Sequence, residues 1–275
     1  LPYRRPKDQT VEDFCDELVK EFEQKIEELG AENIAAFIAE PVLASGGCIV
    51  PPDGYFKKMY DVCKKNEIIF IADEVVTGFG RLGHFFSSEE IFGVVPDIIT
   101  CAKGITSGYL PLGAVLFSNK LIADLKDDSS LFFHGYTYSG HPACCAAALK
   151  NIEILKRDKI LEHVKEIEPY FFEKLNSLYD LPIVGDIRGK GLMAGIECVI
   201  NKDSKEALVL DKAIGSRIDE ESIKLGLIIR PLYHICVLSP ALIITKSQID
   251  ELVEKLYSAI NNSLEQLKEE GLWKN

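Results

Sequence analysis

The 275-residue chain has one tryptophan, two methionines and no pair of cysteines in the C-x-x-C spacing. Without that spacing its eight cysteines spell no redox or zinc motif, and adjacent Cys144 and Cys145 lie in an Ala-rich stretch suited to a buried helix face. Reduced thiols and no metal site are therefore expected. No apolar run approaches the roughly 20 residues of a bilayer span, and the opening LPYRRPKDQT lacks the apolar segment of a secretory signal. The expectation is a cytoplasmic protein without membrane contact. A dense Lys/Arg cluster is also absent, and the net charge is −12, which argues against nucleic acid as a partner. Internal repeats and low-complexity segments are missing. The chain begins at Leu1 instead of methionine, which reads as a fragment or a processed chain.

What is present is helical and strand periodicity in alternation. Apolar residues Val11, Phe14, Leu18, Val19, Phe22, Ile26 and Leu29 recur at three and four, with Thr10 and Asp13 able to cap. This predicts a helix over 11–29 ended by Gly30. Short, continuously apolar strands follow at 34–39, 68–72, 98–101 and 112–117, with a helix near 54–66. Such alternation predicts an α/β fold of mainly parallel strands covered on both faces, with ligands at the carboxyl ends of the strands. From about 142 the pattern changes to a long helix, a second helix near 159–178, short strands around 184–200, 227–230 and 235–238, and a final helix capped by Thr245 and Gln248. Residues 1–159 are read as a partial large domain and 160–275 as a smaller α+β domain.

One stretch invites a wrong answer. In IFIADEVVTGFGRLG, residues 69–83, an apolar strand leads to Gly78-x-Gly80-x-x-Gly83, the spacing of a dinucleotide-binding loop, and Asp97 follows near the distance of a ribose-binding acid. But Asp73 and Glu74 come before the glycines. Two carboxylates at the strand mouth would repel a pyrophosphate, so this reading is set aside. The carboxylates point elsewhere. Glu40, Asp73 and Lys103 each lie just beyond a predicted strand end. Singly, each suits a cap or a solvated surface; together they could meet in one crevice. There a dry lysine would attack a carbonyl to form a Schiff base. A buried aspartate needs a cation, such as a protonated pyridine nitrogen.

The runs FIAEPV, GGCIVPPDGYFKKMYDVC, IADEVVTGFGRLGHFF, PDIITCAKGITSGYLPLGAVLFS, HGYTYSGHP and RGKGLMAGIE, in this order, resemble the class III aminotransferases, pyridoxal-phosphate-dependent enzymes of fold type I. The similarity covers nearly all of the chain. It implies that GFGRLG is a loop after the cofactor-ring aspartate and holds no nucleotide. It implies pyridoxal 5'-phosphate as cofactor, Lys103 as Schiff-base lysine and proton carrier, and Asp73 as partner of the pyridine nitrogen. Val75 would pack on a ring face, on the premise that the strand continues past Asp73. Glu40 resembles the family's strand-end glutamate near substrate and cofactor. Thr137 matches a residue that binds the cofactor phosphate of the partner subunit, implying a homodimer with shared active sites. Arg230 falls where the ω-amino-acid:pyruvate branch has an arginine for the substrate carboxylate. Cys236, Val237 and Leu238 stand where the ornithine and 4-aminobutyrate branches are expected to carry one.

The implied activity is ping-pong transamination between an amino donor and a keto acid such as pyruvate. Two alternatives come with it: a decarboxylase, racemase or aminomutase on the same scaffold, and a non-catalytic fragment or interaction subunit. The second arises because the family's Ser/Gly-rich phosphate cradle and ring-stacking aromatic lie upstream of where Leu1 begins, and neither motif occurs here. A fragment of that kind would leave apolar patches uncovered.

Overall fold

The computed structural model describes residues 2–123, 132–208 and 214–273. Helix α1 spans Val11–Leu29; the Thr10 hydroxyl accepts from the Asp13 amide at 3.0 Å, and Gly30 closes the helix at φ +79°. Strand β1 (Ala36–Ala39), helix α2 (Tyr55–Lys65), β2 (Ile69–Asp73), the short α3 (Ser87–Glu90), β3 (Ile98–Cys101), β4 (Ala114–Phe117), α4 (Asn119–Ala123) and α5 (Pro142–Arg157) follow. The sheet order is β1-β2-β3-β4, with the first three strands parallel. Strand β4 departs from the parallel expectation and runs antiparallel, Ile98 facing Phe117. The segment between β3 and β4 holds only a 3-10 turn at Lys103–Ile105. A parallel return usually needs a crossover helix, and this link, residues 102–113, forms none beyond the 3-10 turn, in keeping with the reversal.

Phe70 is fully buried at the centre of this half, with the rings of Phe37, Phe56 and Tyr60 at 5.5, 5.1 and 5.4 Å. Phe70→Ala should destabilise by about 3–5 kcal/mol, from lost transfer energy and the cavity left behind; urea denaturation measures it. The expected coverage of both sheet faces is not met among the described residues. Ile38 on β1 and Val115 and Leu116 on β4 are exposed.

The second half comprises α6 (Ile160–Leu175), β5 (Val184–Lys190), β6 (Met193–Asn201), β7 (Glu206–Ala207), α7 (Ile214–Lys224), β8 (Arg230–Leu232), β9 (Ile235–Leu238) and α8 (Lys246–Glu269). Its antiparallel sheet is ordered β5-β6-β9-β8, with β7 beside β6. The capping box expected at α8 is present, Thr245 with Gln248. Apolar side chains of α6, α7 and α8 share one core with this sheet, whereas α5 places Ala148 and Leu155 against Phe79, Cys101 and Ile105 of the first half. We propose 159/160 as the division on that ground. The N-terminal segment crosses it: Arg4 reaches the Glu197 carboxylate and the Lys205 carbonyl, and Lys205 Nζ donates to Tyr3 O at 2.6 Å.

Candidate active site

Because β1, β2 and β3 are parallel neighbours, Glu40, Asp73 and Lys103 emerge at the same edge of the sheet. Asp97 stands at the opposite end, at the entry to β3. There it pairs with Lys64 and accepts from the Phe70 amide at 2.8 Å. An acid at the amino ends of the strands cannot serve a ligand bound at the carboxyl ends. Asp97 is structural.

Lys103 begins the 3-10 turn after β3 at φ +44°, a backbone region where a side chain costs roughly 1–2 kcal/mol. Its side chain is exposed, and no hydrogen bond or ion pair engages it among the described residues. The dry crevice expected for it is not supplied by these residues. Strained backbone at an unpaired lysine is a pattern that concentrates at functional sites. Neighbouring glycines permit the turn. A Cβ on Gly104 would meet the Phe79 Cβ at 2.9 Å, and one on Gly78 the Glu74 carbonyl at 2.8 Å. The GFG run is thus the surface on which the lysine turn packs.

Asp73 closes β2, half-buried; its Oδ1 accepts from the Val75 amide at 3.0 Å. The second oxygen has no partner among the described residues. Glu74 turns inward, fully buried, where its carboxylate takes the hydroxyl of Thr77, the hydroxyl of Ser87 at 2.7 Å and the amide of Ser88 at 2.6 Å. These bonds fold residues 74–88 back on themselves. The strand therefore stops at Asp73, and the premise that Val75 continues its geometry fails. Val76 lines the cavity beside Lys103 and Val75 does not. Glu40 Oε2 accepts from the Ala44 amide at 3.0 Å, fixing the turn after β1.

The three strand-end groups stand at one sheet edge and line two of the hollows outlined there by the described residues. Glu40 and Asp73 line an apolar hollow of about 550 Å³ with Phe37, Leu43 and Tyr55. Lys103 lines a cavity of about 460 Å³ that takes its wall from both halves, with Arg230, Arg81, Met193 and Leu242 among the lining residues. Arg230 opens β8 opposite Val237, and its guanidinium is exposed and unpaired among the described residues. Thr137 lies in an exposed turn in which the Tyr136 amide donates to Ser139 Oγ at 2.9 Å. Arg81 escaped the sequence reading, and Glu74 entered it only as a second carboxylate at the strand mouth. The available signal was a pair of oppositely charged residues inside an otherwise small and apolar loop. All eight cysteines are unpaired, seven of them buried. Burial lifts the Cys48 thiol, packed in one cluster with Met193 and Val237, to about 12.

The chain is thus a two-unit α/β protein with a strained lysine turn after a parallel strand, a strand-end aspartate one strand away and an arginine lining the same cavity as the lysine. The class III aminotransferase family model matches residues 1–260, and the chain belongs to that family. It is 44% identical over 247 residues to a putrescine–pyruvate aminotransferase of Pseudomonas aeruginosa, covering 90% of this chain and 54% of that protein. It is 41% identical to a probable mitochondrial gamma-aminobutyrate transaminase 3 of Oryza sativa, over 95% of this chain and 52% of that one. Among solved structures, a thermostable (S)-enantioselective omega-transaminase from Thermomicrobium roseum superposes with a TM-score of 0.92 at 42% identity, over 96% of this chain and 59% of that one. A pyridoxamine-phosphate-bound aminotransferase from Vibrio fluvialis gives 0.90 at 36%, over the same shares. The fold is therefore the type I fold of these transaminases. The chain spans about half the length of the curated relatives it matches.

Proposed function

We propose that this chain carries the lysine-bearing part of a pyridoxal-phosphate-dependent aminotransferase that moves nitrogen from an amine or ω-amino acid to a keto acid such as pyruvate. The observation that carries the reading is the pair of unpaired cations, Lys103 of the first half and Arg230 of the second, lining one cavity. The residues present fit the cofactor chemically: a free amine suits an aldehyde, and a strand-end carboxylate with an open oxygen suits a pyridinium N–H. Pyridoxal phosphate, when bound, supplies an electron sink for the amine-bearing carbon. Lys103 Nζ would take the proton from that carbon and return it on the other side of the cycle. Asp73 would keep the ring nitrogen protonated. Arg230 would hold the keto-acid carboxylate with its planar fork.

The putrescine–pyruvate name of one relative supports pyruvate as acceptor. A homodimer in which Thr137 reaches the partner's cofactor phosphate is supported by the exposed aromatics around it, Phe133, Tyr136 and Tyr138, and by Tyr109. We place the protein in the cytoplasm; no described helix is long and apolar enough to cross a membrane.

Arg230→Met is the test of the carboxylate role. A charge-assisted hydrogen bond contributes about 1.5–3 kcal/mol, so KM for pyruvate should rise roughly 10- to 100-fold. Rates with an uncharged amine in the donor half-reaction should hold. An unchanged pyruvate KM would remove Arg230 from the site.

A further inference from the structure

The proposed function leaves Arg81 without a part, although it lines the same cavity as the two cations. Its Nη1 donates to the Leu192 carbonyl at 2.8 Å and the Pro240 carbonyl at 2.6 Å, and its own carbonyl accepts the Leu192 amide at 3.0 Å. A residue of the first half thus holds both the turn between β5 and β6 and the segment after β9. No carboxylate neutralises the guanidinium among the described residues. Burial pulls it down to about 10, which leaves it charged at neutral pH. A sequestered cation of this kind persists only where hydrogen bonds replace its water. The backbone is shaped for the same contact. Gly191 lies at φ +59°, and a Cβ there would fall 2.4 Å from the Arg81 carbonyl.

Every piece that Arg81 ties carries cavity wall. Gly78 and Phe79 lie just before it, Met193 follows Leu192, and Ser239 and Leu242 flank Pro240. Lys103, on the first half, and Arg230, Leu232 and Val237, on the second, line the same cavity.

We propose that Arg81 is a positioning residue that fixes the distance between Lys103 and Arg230 and so decides which carboxylate-bearing substrates the site accepts. The inference rests on the aminotransferase reading. A substrate with a carboxylate must satisfy lysine and arginine together, so its binding depends on their separation. An uncharged amine answers to the lysine alone.

The test compares wild type, Arg81→Met and Arg81→Lys, each loaded with pyridoxal phosphate. Three readings are taken: the pyridoxyl label on Lys103 after borohydride reduction, single-turnover half-reactions with butylamine and β-alanine, and the affinity for oxamate by calorimetry. In Arg81→Met the label should persist and the butylamine rate stay within about threefold, while oxamate affinity and the β-alanine rate fall roughly 10- to 100-fold, the scale expected from an ångström of misplacement. Arg81→Lys keeps the cation but not the fork, and should fall between the two. It also serves if the methionine variant does not fold. Equal losses for butylamine and β-alanine, or undiminished oxamate affinity, would overturn the proposal. A missing label in the wild type would count against the aminotransferase reading instead, and the oxamate comparison would still decide the role of Arg81.

Discussion

Lys103→Ala is expected to abolish transamination and the borohydride-fixed pyridoxyl label while leaving the fold intact. Proton transfer by a positioned side chain is worth about 10²–10⁴ in rate, and the lysine also supplies the covalent attachment, so the loss should exceed 10⁴-fold. The fold should survive because the Lys103 side chain is exposed and engages no partner among the described residues. An exposed, unpartnered substitution usually shifts stability by about 0.5 kcal/mol or less. The two readings together separate a chemical role from a structural one. Turnover within tenfold of wild type, measured by alanine production from pyruvate, would contradict the assignment.

The second large effect concerns stability. Glu197, fully buried on β6, meets Arg188 at 2.6 Å, the Arg4 guanidinium, and His234 Nε2 at 3.5 Å. Arg188 also binds Asp186 at 2.7 Å and the Gly47 carbonyl at 2.9 Å. The cluster therefore joins the residues before α1, the loop after β1 and the second sheet. Burial alone would raise the Glu197 carboxyl, but the His234 contact, the Arg188 charge and the Arg4 bond outweigh it and bring it to about 2. A carboxyl lowered in the folded state stabilises fully above its ordinary value, and that contribution disappears as pH falls from about 4.5 toward about 2. The amount at stake is about 3 kcal/mol. Asp186, raised by burial, acts in the opposite sense and shallows the slope. Glu197→Gln should cost about 3–5 kcal/mol at neutral pH, because it leaves Arg188 and Arg4 without their shared anion. The variant should also lose much of the acid dependence. Urea titrations across this pH range check both, and a variant as stable as wild type at pH 7 would refute the argument.

Elements set by local chemistry were legible in the sequence. The cap at Thr10, the glycine stop at Gly30, the box at Thr245 and the strands 98–101 and 235–238 agree with the structure because capping and continuous apolar runs are short-range signals. Helix α7 went unseen. Its buried face mixes Ile214 and Ile218 with Gly215, Glu221 and Ser222, so the apolar stripe is interrupted. Gly215 is there for close approach, its amide bonding the Tyr233 carbonyl at 2.8 Å. The reversal of β4 depended on what its connection lacked. At the site, Glu40, Asp73 and Lys103 were legible as polar groups beyond strand ends and Arg230 through the family resemblance, whereas which cavity each lines is a tertiary property. The strand premise used for Val75 fails because the Glu74 bonds that end the strand join it to Thr77, Ser87 and Ser88 of the following loop. Arg81 bonds only to distant carbonyls, and a carbonyl partner leaves no mark in sequence.

The most direct test follows the nitrogen. The protein, loaded with pyridoxal phosphate, is given ¹⁵N-labelled putrescine or β-alanine and pyruvate, and the alanine formed is analysed by mass spectrometry. Transfer through Lys103 to a keto acid held by Arg230 predicts ¹⁵N-alanine in step with donor consumed, absent in Lys103→Ala. Donor consumed with release of carbon dioxide, or donor racemised or isomerised, without labelled alanine would contradict the account and assign the scaffold to a different reaction.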